Sequence, residues 1–514
     1  MQFDIKPPLI HDLIRLHGKW LPNKLALIDE EKTLTWRELD QRSNQVANGL
    51  LALGIKSGDS VAILMTNCVE YVEIMYAIFK AGAVVVPLNL AVNEQGLINM
   101  LNDSQSKVLF ATPEQAERLT GQLNQVPALT TSIIYQKTTT LDGLDYETWR
   151  DAEPLTHLDI DISDNAPCNI IYSSGTTGQP KGIKQIHRRR IQATYELALA
   201  NRYHQSAISI CSLGMYSNIA MASVFCPLVV GGTCVIQKDF TPTTWIETVK
   251  KYQVTHTMMV PIQFQRILEA DNFSPDATSS LEAIISGGSP LFASLKKEIS
   301  DNFRCVVIEL YGLTEGFNTT LQPEDAEGRL SSVGKPFPGH DYIILDDDDN
   351  ELPWPNTGEI CARSISWMTE YHNRPDATLE STYIDKNGMK WLRTGDIGRI
   401  DEEGFLYIVD RKKDMILSGG QNIYPADIES VMLEHPAISE VAVIGLPDQE
   451  WGEIPMALVV LKQGEQAPTT NQIIDWTNQK VGKRQRIKRL EFRVDLPRNP
   501  NGKILKRELR KDCS

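Results

Sequence analysis

Residues 172–182 read YSSGTTGQPKG, and Asn169-Ile170-Ile171 stand just before them. Two serines, two threonines, three glycines and a lysine share eleven positions. The apolar run in front predicts a buried strand end. A glycine-rich turn leaving a strand lets main-chain N–H groups approach a ligand with no Cβ in the way. Hydroxyls and a lysine on that turn make a cradle suited to phosphate. Two familiar loops are excluded by spacing. The residue five after Gly175 is Pro180, and Gly182 rather than Ser or Thr follows Lys181, so the P-loop pattern fails. The Gly-x-Gly-x-x-Gly dinucleotide pattern is absent too.

Outward from this loop, short apolar runs alternate with longer amphipathic stretches. Strands are expected at 61–65, 83–88, 108–111, 208–213, 234–237, 257–260, 283–286 and 306–310. A crossover helix is expected at 94–101, with Leu97, Ile98 and Leu101 on one face, and a buried helix at 219–230. This is α/β patterning with parallel sheets. Past residue 342 the pattern turns to strands joined by tight turns, at 342–345, 358–362 and 405–409. The acidic run 346–349 reads as a solvated turn, because consecutive aspartates on one turn cannot all face one ion. A last unit begins near Lys413, with a helix at 426–435 stopped by Pro436 and strands at 441–444 and 457–461. The expected fold class is therefore α/β. A large N-terminal domain of α/β layers with a β-rich subdomain, residues 1–410, precedes a small α+β C-terminal domain, residues 411–514.

The chain has 514 residues, enough for two or more domains. Its net charge of −15 argues against nucleic acid as a partner. Eight cysteines, none in a C-x-x-C pair, mostly sit in apolar runs and read as free buried thiols of a reducing, cytoplasmic setting. No secretory signal and no run of about 18 apolar residues is visible. That excludes a transmembrane segment and leaves room for peripheral membrane contact.

The loop resembles the signature loop of the adenylate-forming superfamily, which includes acyl- and aryl-CoA synthetases, peptide-synthetase adenylation domains and beetle luciferases. Four further segments share the resemblance: Tyr311-Gly312-Leu313-Thr314-Glu315, Ser286-Gly287-Gly288-Ser289-Pro290, Thr394-Gly395-Asp396 with Asp410-Arg411-Lys412-Lys413-Asp414, and residues 497–503, PRNPNGK. The resemblance implies a role for each. Ser173, Ser174, Gly175, Thr176, Thr177, Gly178 and Lys181 would hold the ATP phosphates. Gly287, Gly288, Ser289, Glu309, Leu310, Tyr311 and Gly312 would line the adenylate, with Tyr311 stacking on adenine. Thr314 would reach the α-phosphate, and Glu315 would hold Mg²⁺ through hard oxygen ligation. Asp396 and Arg411 would take the ribose, and Lys503 would be the catalytic lysine.

The implied chemistry joins two anions, a carboxylate and the α-phosphate of ATP. The implied product is acyl-AMP, with transfer to coenzyme A afterwards. Lys413 would be the hinge on which the C-terminal domain turns between the two steps, and Ser418, Gly419 and Gly420 would line the CoA tunnel. Proline at 413 is expected to spare the first step and block the second. Arg188, Arg189 and Arg190, or the cluster 483–489, could hold the CoA 3′-phosphate, but solvated surface charge is the favoured expectation for each.

The acid pocket is expected at Leu213, Gly214, Met215, Tyr216 and Asn218. No acidic residue stands there, which disfavours an amino-acid substrate and favours a hydrophobic one, fatty or aryl. Gly214-Met215 replaces the aromatic-His pair of many acyl-CoA synthetases, a departure expected to leave more room. An acyl-adenylate ligase passing its product to an amine or a carrier-protein thiol is the alternative. A monomer or homodimer fits either reading.

Overall fold

Helix Val69–Lys80 lies between two sheets and is buried along its whole length. A helix apolar all round belongs in a core, yet this one carries Glu70, Glu73 and Lys80. Each is paired. Glu73 takes Arg42 Nε at 2.6 Å, Arg150 Nη1 at 3.6 Å and the Tyr146 hydroxyl at 2.5 Å. Glu70 takes Lys32, and Lys80 reaches Asp40 at 2.7 Å and Asn44 at 2.7 Å. These partners sit on the elements flanking the helix, so the charges fix its register. The computed structural model describes residues 7–139, 141–173, 180–418, 421–449, 451–462, 467–499 and 502–513.

The first sheet has eight strands. Its parallel centre is Val84–Pro87, Ser60–Leu64, Val108–Ala111 and Thr131–Ile134. On one side Pro167–Ser173 joins in parallel, then Lys181–Ile186 and Glu370–Tyr371 antiparallel. The second sheet has nine strands. Its centre, Thr233–Ile236, Ile208–Cys211, His256–Met259, Ala283–Gly287 and Val306–Gly312, is parallel. Its outermost strands are antiparallel to their neighbours, as is the hairpin side of the first sheet, while the first sheet's other edge, Leu144–Asp145, is parallel; the expected parallel sheets are therefore mixed. The largest core fills the space between the sheets, where helix Asn218–Val229 joins Val69–Lys80.

A five-stranded sheet follows, built on Asp341–Leu345, Thr357–Arg363 and Lys390–Ile400, with Leu406–Arg411 on the last of these. Its core includes Phe317 and Val333, which lie beside the second sheet in sequence, so this layer is fastened there. Asp346 accepts the N–H groups of Asp348 and Asn350 at 2.9 and 2.8 Å in an exposed turn.

From Ile416 on, a fourth sheet is organised by the long hairpin Ile438–Asp448 and Gly452–Leu461. Both of its faces are covered. Val441, Val443, Ala457 and Val459 meet helix Pro425–Met432 and helix Thr470–Lys480. Ala442, Ile444, Met456 and Leu458 meet Leu496 and Leu509, the latter on the terminal helix Lys506–Cys513. Two-sided burial explains the continuous apolar runs of these strands. All eight cysteines are free.

At the N-terminal ends of the second sheet's strands, His204, His256 and Glu282 lie close together. Both ring nitrogens of His256 are engaged, by Thr255 Oγ1 at 2.8 Å and the Arg202 carbonyl at 3.2 Å, and His204 pairs with Glu282 at 2.7 Å. The group staples strand ends together. Among the described residues no helix is long and apolar enough to cross a membrane.

Removing one partner from a buried ion group leaves the others uncompensated. Glu73→Ala strands Arg42 and Arg150, and the expected loss is about 3–5 kcal/mol. A lowered urea midpoint checks it; an unchanged midpoint would show that the group does not hold the helix.

Candidate active site

The opening loop has its two ends on paired strands. Strands Pro167–Ser173 and Lys181–Ile186 pair antiparallel, with Ser173 opposite Lys181 at the neck. Ser174, Gly175, Thr176, Thr177 and Gly178 lie outside the described residues. Lys181 Nζ sits 5.1 Å from the centroid of the Tyr371 ring, and the Tyr371 hydroxyl donates to Glu315 Oε1 at 2.7 Å. Glu315 and Thr314 stand in the tight turn after strand Val306–Gly312, closed by the Leu313 N–H on the Phe317 carbonyl at 3.0 Å. Gly316 in this turn has φ +114, and a Cβ there would lie 2.4 Å from the Ser366 carbonyl oxygen. Only glycine fits.

The adenylate segments meet at adjacent strand ends. Gly287 and Leu310 are register partners. A Cβ on Gly287 would come within 2.8 Å of the Leu310 carbonyl oxygen, so main chain packs on main chain. Gly288 and Ser289 follow directly. The Glu309 side chain is committed elsewhere: it is buried in a pair with Lys296, and burial raises its pKa. Only its main chain is left for a ligand. Tyr311 donates its hydroxyl to Asp396 Oδ2 at 2.7 Å, while Arg411 Nε lies 3.2 Å from Asp396 Oδ1. Asp396 and Arg411 face each other because Lys390–Ile400 and Leu406–Arg411 pair in register there.

Lys503 arrives from the far end of the chain. Its loop is shaped by the Asn499 N–H on the Lys503 carbonyl at 2.8 Å and the Lys503 N–H on Asn499 Oδ1 at 2.9 Å. The loop sits against the second sheet: a Cβ on Gly502 would lie 3.1 Å from the side chains of both Val260 and Ile262. Gln265 Nε2 also meets Ser439 Oγ at 3.2 Å, joining the fourth sheet to the same region. Burial pushes the Lys503 ammonium down to about 7. The charges of Arg411 and Lys413 add to this, and Asp396 and Asp414 oppose it. Lys413 is lowered by burial first and by Arg411 second.

Lys413 is the third residue of a turn closed by the Asp414 N–H on the Arg411 carbonyl at 2.9 Å, and its φ is not positive. Proline is disfavoured there. A proline at 413 would strain the turn seen here. Ser418 is buried at the end of strand Ile416–Ser418, paired with Gln421 and Gly452. Gly419 and Gly420 lie outside the described residues.

The acid-side segment departs from expectation in one respect. The absent side chain at Gly214 leaves no room, because a Cβ there would lie 2.3 Å from the Tyr216 ring. Tyr216 occupies the place instead, and burial pushes its phenol up to about 12. Asn67 fastens this segment, donating to the Leu213 and Gln237 carbonyls at 2.8 and 3.2 Å and accepting the Met215 N–H at 3.0 Å. A cleft of about 580 Å³ opens beside it, lined by Asn67, Ser212, Tyr216, Phe240, Lys238 and Arg498. Asn218 Oδ1 accepts from Arg190 at 3.0 Å, and Arg190 Nε reaches Asn169 at 3.0 Å. Arg190 is 3% exposed. It is not a solvated charge, because it ties the hairpin strand to the acid-side helix. Arg189 also turns inward, donating to the Trp367 and Met368 carbonyls. Arg188 and the charges of 483–489 are exposed, as expected.

Asn67 and Tyr371 were not legible as site residues, and Arg190 was read only as one of three adjacent arginines. All three lie outside any glycine-rich string, and only tertiary contact gives them their partners.

The AMP-binding enzyme family profile matches residues 17–372, and the AMP-binding enzyme C-terminal domain matches residues 427–503. The chain is 35% identical to a long-chain-fatty-acid–CoA ligase of Mycobacterium tuberculosis, over 94% of this chain and 93% of the other. It is 31% identical to a fatty acid–[acyl-carrier-protein] ligase of Streptomyces coeruleorubidus, over 96% and 94%. The crystal structure of an anthranilate CoA ligase in complex with anthranoyl-AMP superposes with a TM-score of 0.91, at 26% identity, over 100% and 99% of the chains.

The Lys503 ammonium should titrate near pH 7 in the unliganded protein. Below that pH it is charged; above it, neutral. Carbon-13 dimethylation of lysines with NMR detection should show one resonance with this midpoint, missing from Lys503→Ala. Arg411→Gln, which removes a positive neighbour, should raise the midpoint. A Lys503 resonance titrating above 10 would contradict the burial seen here.

Proposed function

The chain belongs to the AMP-binding enzyme family, and from that premise we propose that it activates a hydrophobic carboxylic acid, fatty or aryl, with ATP. The carboxylate oxygen attacks the α-phosphorus, the bond to the β-phosphate breaks, and pyrophosphate leaves. The thiol of coenzyme A then attacks the acyl carbonyl, the bond to AMP breaks, and acyl-CoA and AMP result. The observation that carries this reading is the convergence of Lys503, Arg411 and Lys413 on Asp396 across the boundary between the third and fourth sheets. A buried ammonium beside the adenylate segments can hold carboxylate and α-phosphate oxygens together, relieving their repulsion.

Lys181, with Ser173 at the hairpin neck, supports the departing pyrophosphate. Glu315 suits Mg²⁺ chemically. It is a hard oxygen donor with one carboxylate oxygen held by Tyr371, and the other accepts no hydrogen bond among the described residues. Bound there, the cation would offset phosphate charge. Thr314 supplies a hydroxyl in the same turn.

The domain boundary falls at 410/411, with Lys413 as the hinge. The second step requires the C-terminal unit to withdraw Lys503 and bring the Ser418 segment to the thiol. Transfer to a carrier-protein thiol is the second reading, favoured by the likeness to the fatty acid–[acyl-carrier-protein] ligase.

Incubating the protein with ATP, Mg²⁺ and a panel of acids, with coenzyme A, with a phosphopantetheinylated carrier protein or with neither, separates the readings by mass spectrometry. Acyl-CoA and AMP are expected with coenzyme A. AMP release with no dependence on coenzyme A would overturn the leading reading, and product only on the carrier protein would establish the second.

Cross-linking tests the hinge. Joining cysteines at Gln265 and Ser439 with a short reducible bis-thiol reagent should lock the present arrangement. Acid-dependent pyrophosphate exchange should survive, thioester formation should stop, and reductant should restore it. Equal loss of both steps in the locked protein, with both single-cysteine variants active, would count against domain rotation.

A further inference from the structure

We infer that Tyr371 is a positioning residue that couples the two charged groups on either side of the ATP phosphates: it aims the Glu315 carboxylate with its hydroxyl and restrains Lys181 with its ring. This rests on the reading of Glu315 as the Mg²⁺ ligand. Neither the loop signature nor the other segments draw attention to Tyr371, which stands in the stretch EYHNRPDAT, residues 370–378.

Three observations carry it. First, Tyr371 touches both groups at once, through the 2.7 Å hydrogen bond to Glu315 Oε1 and the 5.1 Å placement of its ring beneath Lys181 Nζ. A carboxylate with one oxygen tied down presents the other in a fixed direction. An ammonium over an aromatic face is attracted there and loses freedom. Outer-shell hydrogen bonds of this kind orient metal ligands.

Second, the residue that does this is itself held from several sides. Glu370–Tyr371 pairs antiparallel with Lys181–Ile186, placing Tyr371 opposite Ile183. The Glu370 carboxylate takes Lys184 at 2.8 Å. The Tyr371 N–H donates to Thr378 Oγ1 at 3.0 Å, and the His372 N–H donates to the Gly182 carbonyl at 2.7 Å. Such a small edge strand would fray without these bonds. With them, the ring and hydroxyl are a fixed point.

Third, Lys181 and Glu315 belong to different sheets, and the Tyr371 segment bridges them. Its upstream part, 366–368, packs on the Glu315 turn, where Gly316 makes room for the Ser366 carbonyl. Its Trp367 and Met368 carbonyls accept from Arg189 on the helix after the hairpin.

The test compares Tyr371→Phe, which keeps the ring and removes the donor, with Glu315→Gln and the double variant. Mg²⁺-dependent ATP binding is followed by calorimetry without acid, and Mg²⁺ dependence of pyrophosphate exchange is measured beside it. Tyr371→Phe is expected to raise the Mg²⁺ midpoint about 10- to 100-fold, with exchange near wild type at saturating Mg²⁺ and the KM for the acid unchanged. Tyr371→Leu should also weaken ATP binding without Mg²⁺, because Lys181 loses its platform. The double variant should add little to Glu315→Gln, since both act through one carboxylate. A wild-type Mg²⁺ midpoint in Tyr371→Phe, with Glu315→Gln shifted, overturns the inference alone. The same holds if Tyr371→Phe lowers only the melting temperature. A wild-type midpoint in Glu315→Gln overturns the assignment of the cation to Glu315, and the inference falls with it.

Discussion

Three cations crowd one carboxylate in this protein: Arg411, Lys413 and Lys503 share the surroundings of Asp396. A chain of net charge −15 has to gather positive charge where it meets a polyphosphate, and here it gathers more than Asp396 can neutralise. Burial first, and then repulsion from the neighbouring cations, lower the Lys503 and Lys413 pKa values, with Asp396 and Asp414 opposing. A triphosphate and a carboxylate relieve that repulsion, so they favour the docked position of the Lys503 loop. By linkage, docking of the loop favours them in return. Under the proposed two-step scheme, loss of pyrophosphate would remove part of that compensating charge, and the same repulsion would favour release of the C-terminal unit.

Much of this was legible in the sequence, and the division follows physical lines. Strands buried on both faces, such as Ser60–Leu64 and Val108–Ala111, announced themselves as short apolar runs. Helix Asn218–Val229 was readable despite Pro227 because its surroundings are apolar throughout. The hairpin neck at Ser173 and Lys181 was singled out from its own residues, and the turn at Thr314 and Glu315 through the resemblance. Relations between distant segments were not. Nothing in the local sequence pairs Arg190 with Asn169 and Asn218, or Tyr371 with Glu315. Three adjacent arginines read as a surface patch, yet a helix turns successive residues by about 100°. Arg188 therefore faces solvent while Arg190 points into the core. The hairpin Ile438–Asp448 and Gly452–Leu461 was longer than its apolar centres suggested, because polar residues at its ends are paired across the strands.

The acid side shows how a substitution can be compensated within three residues. Glycine at 214 opens space that Tyr216 fills with its ring, while Asn67 holds the Leu213 and Met215 main chain with two hydrogen bonds and the Gln237 carbonyl with a third. The ring's place depends on a glycine that cannot accept a side chain. Lys238 and Arg498 stand at the cleft beside it. Arg498 comes from the same loop that carries Lys503, so the proposed movement of the C-terminal unit would change this cleft as well as the surroundings of Asp396.

The central claim is that Lys503 serves the first half-reaction and not the second. Its most direct test is Lys503→Ala assayed on each half-reaction separately: acid-dependent pyrophosphate exchange on one side, thioester formation from supplied acyl-AMP and coenzyme A on the other. Exchange should fall by about two to four orders of magnitude, the scale of losing one preorganised electrostatic contact, while thioester formation from acyl-AMP stays close to wild type. Equal loss of both, or exchange at the wild-type rate, would contradict the account.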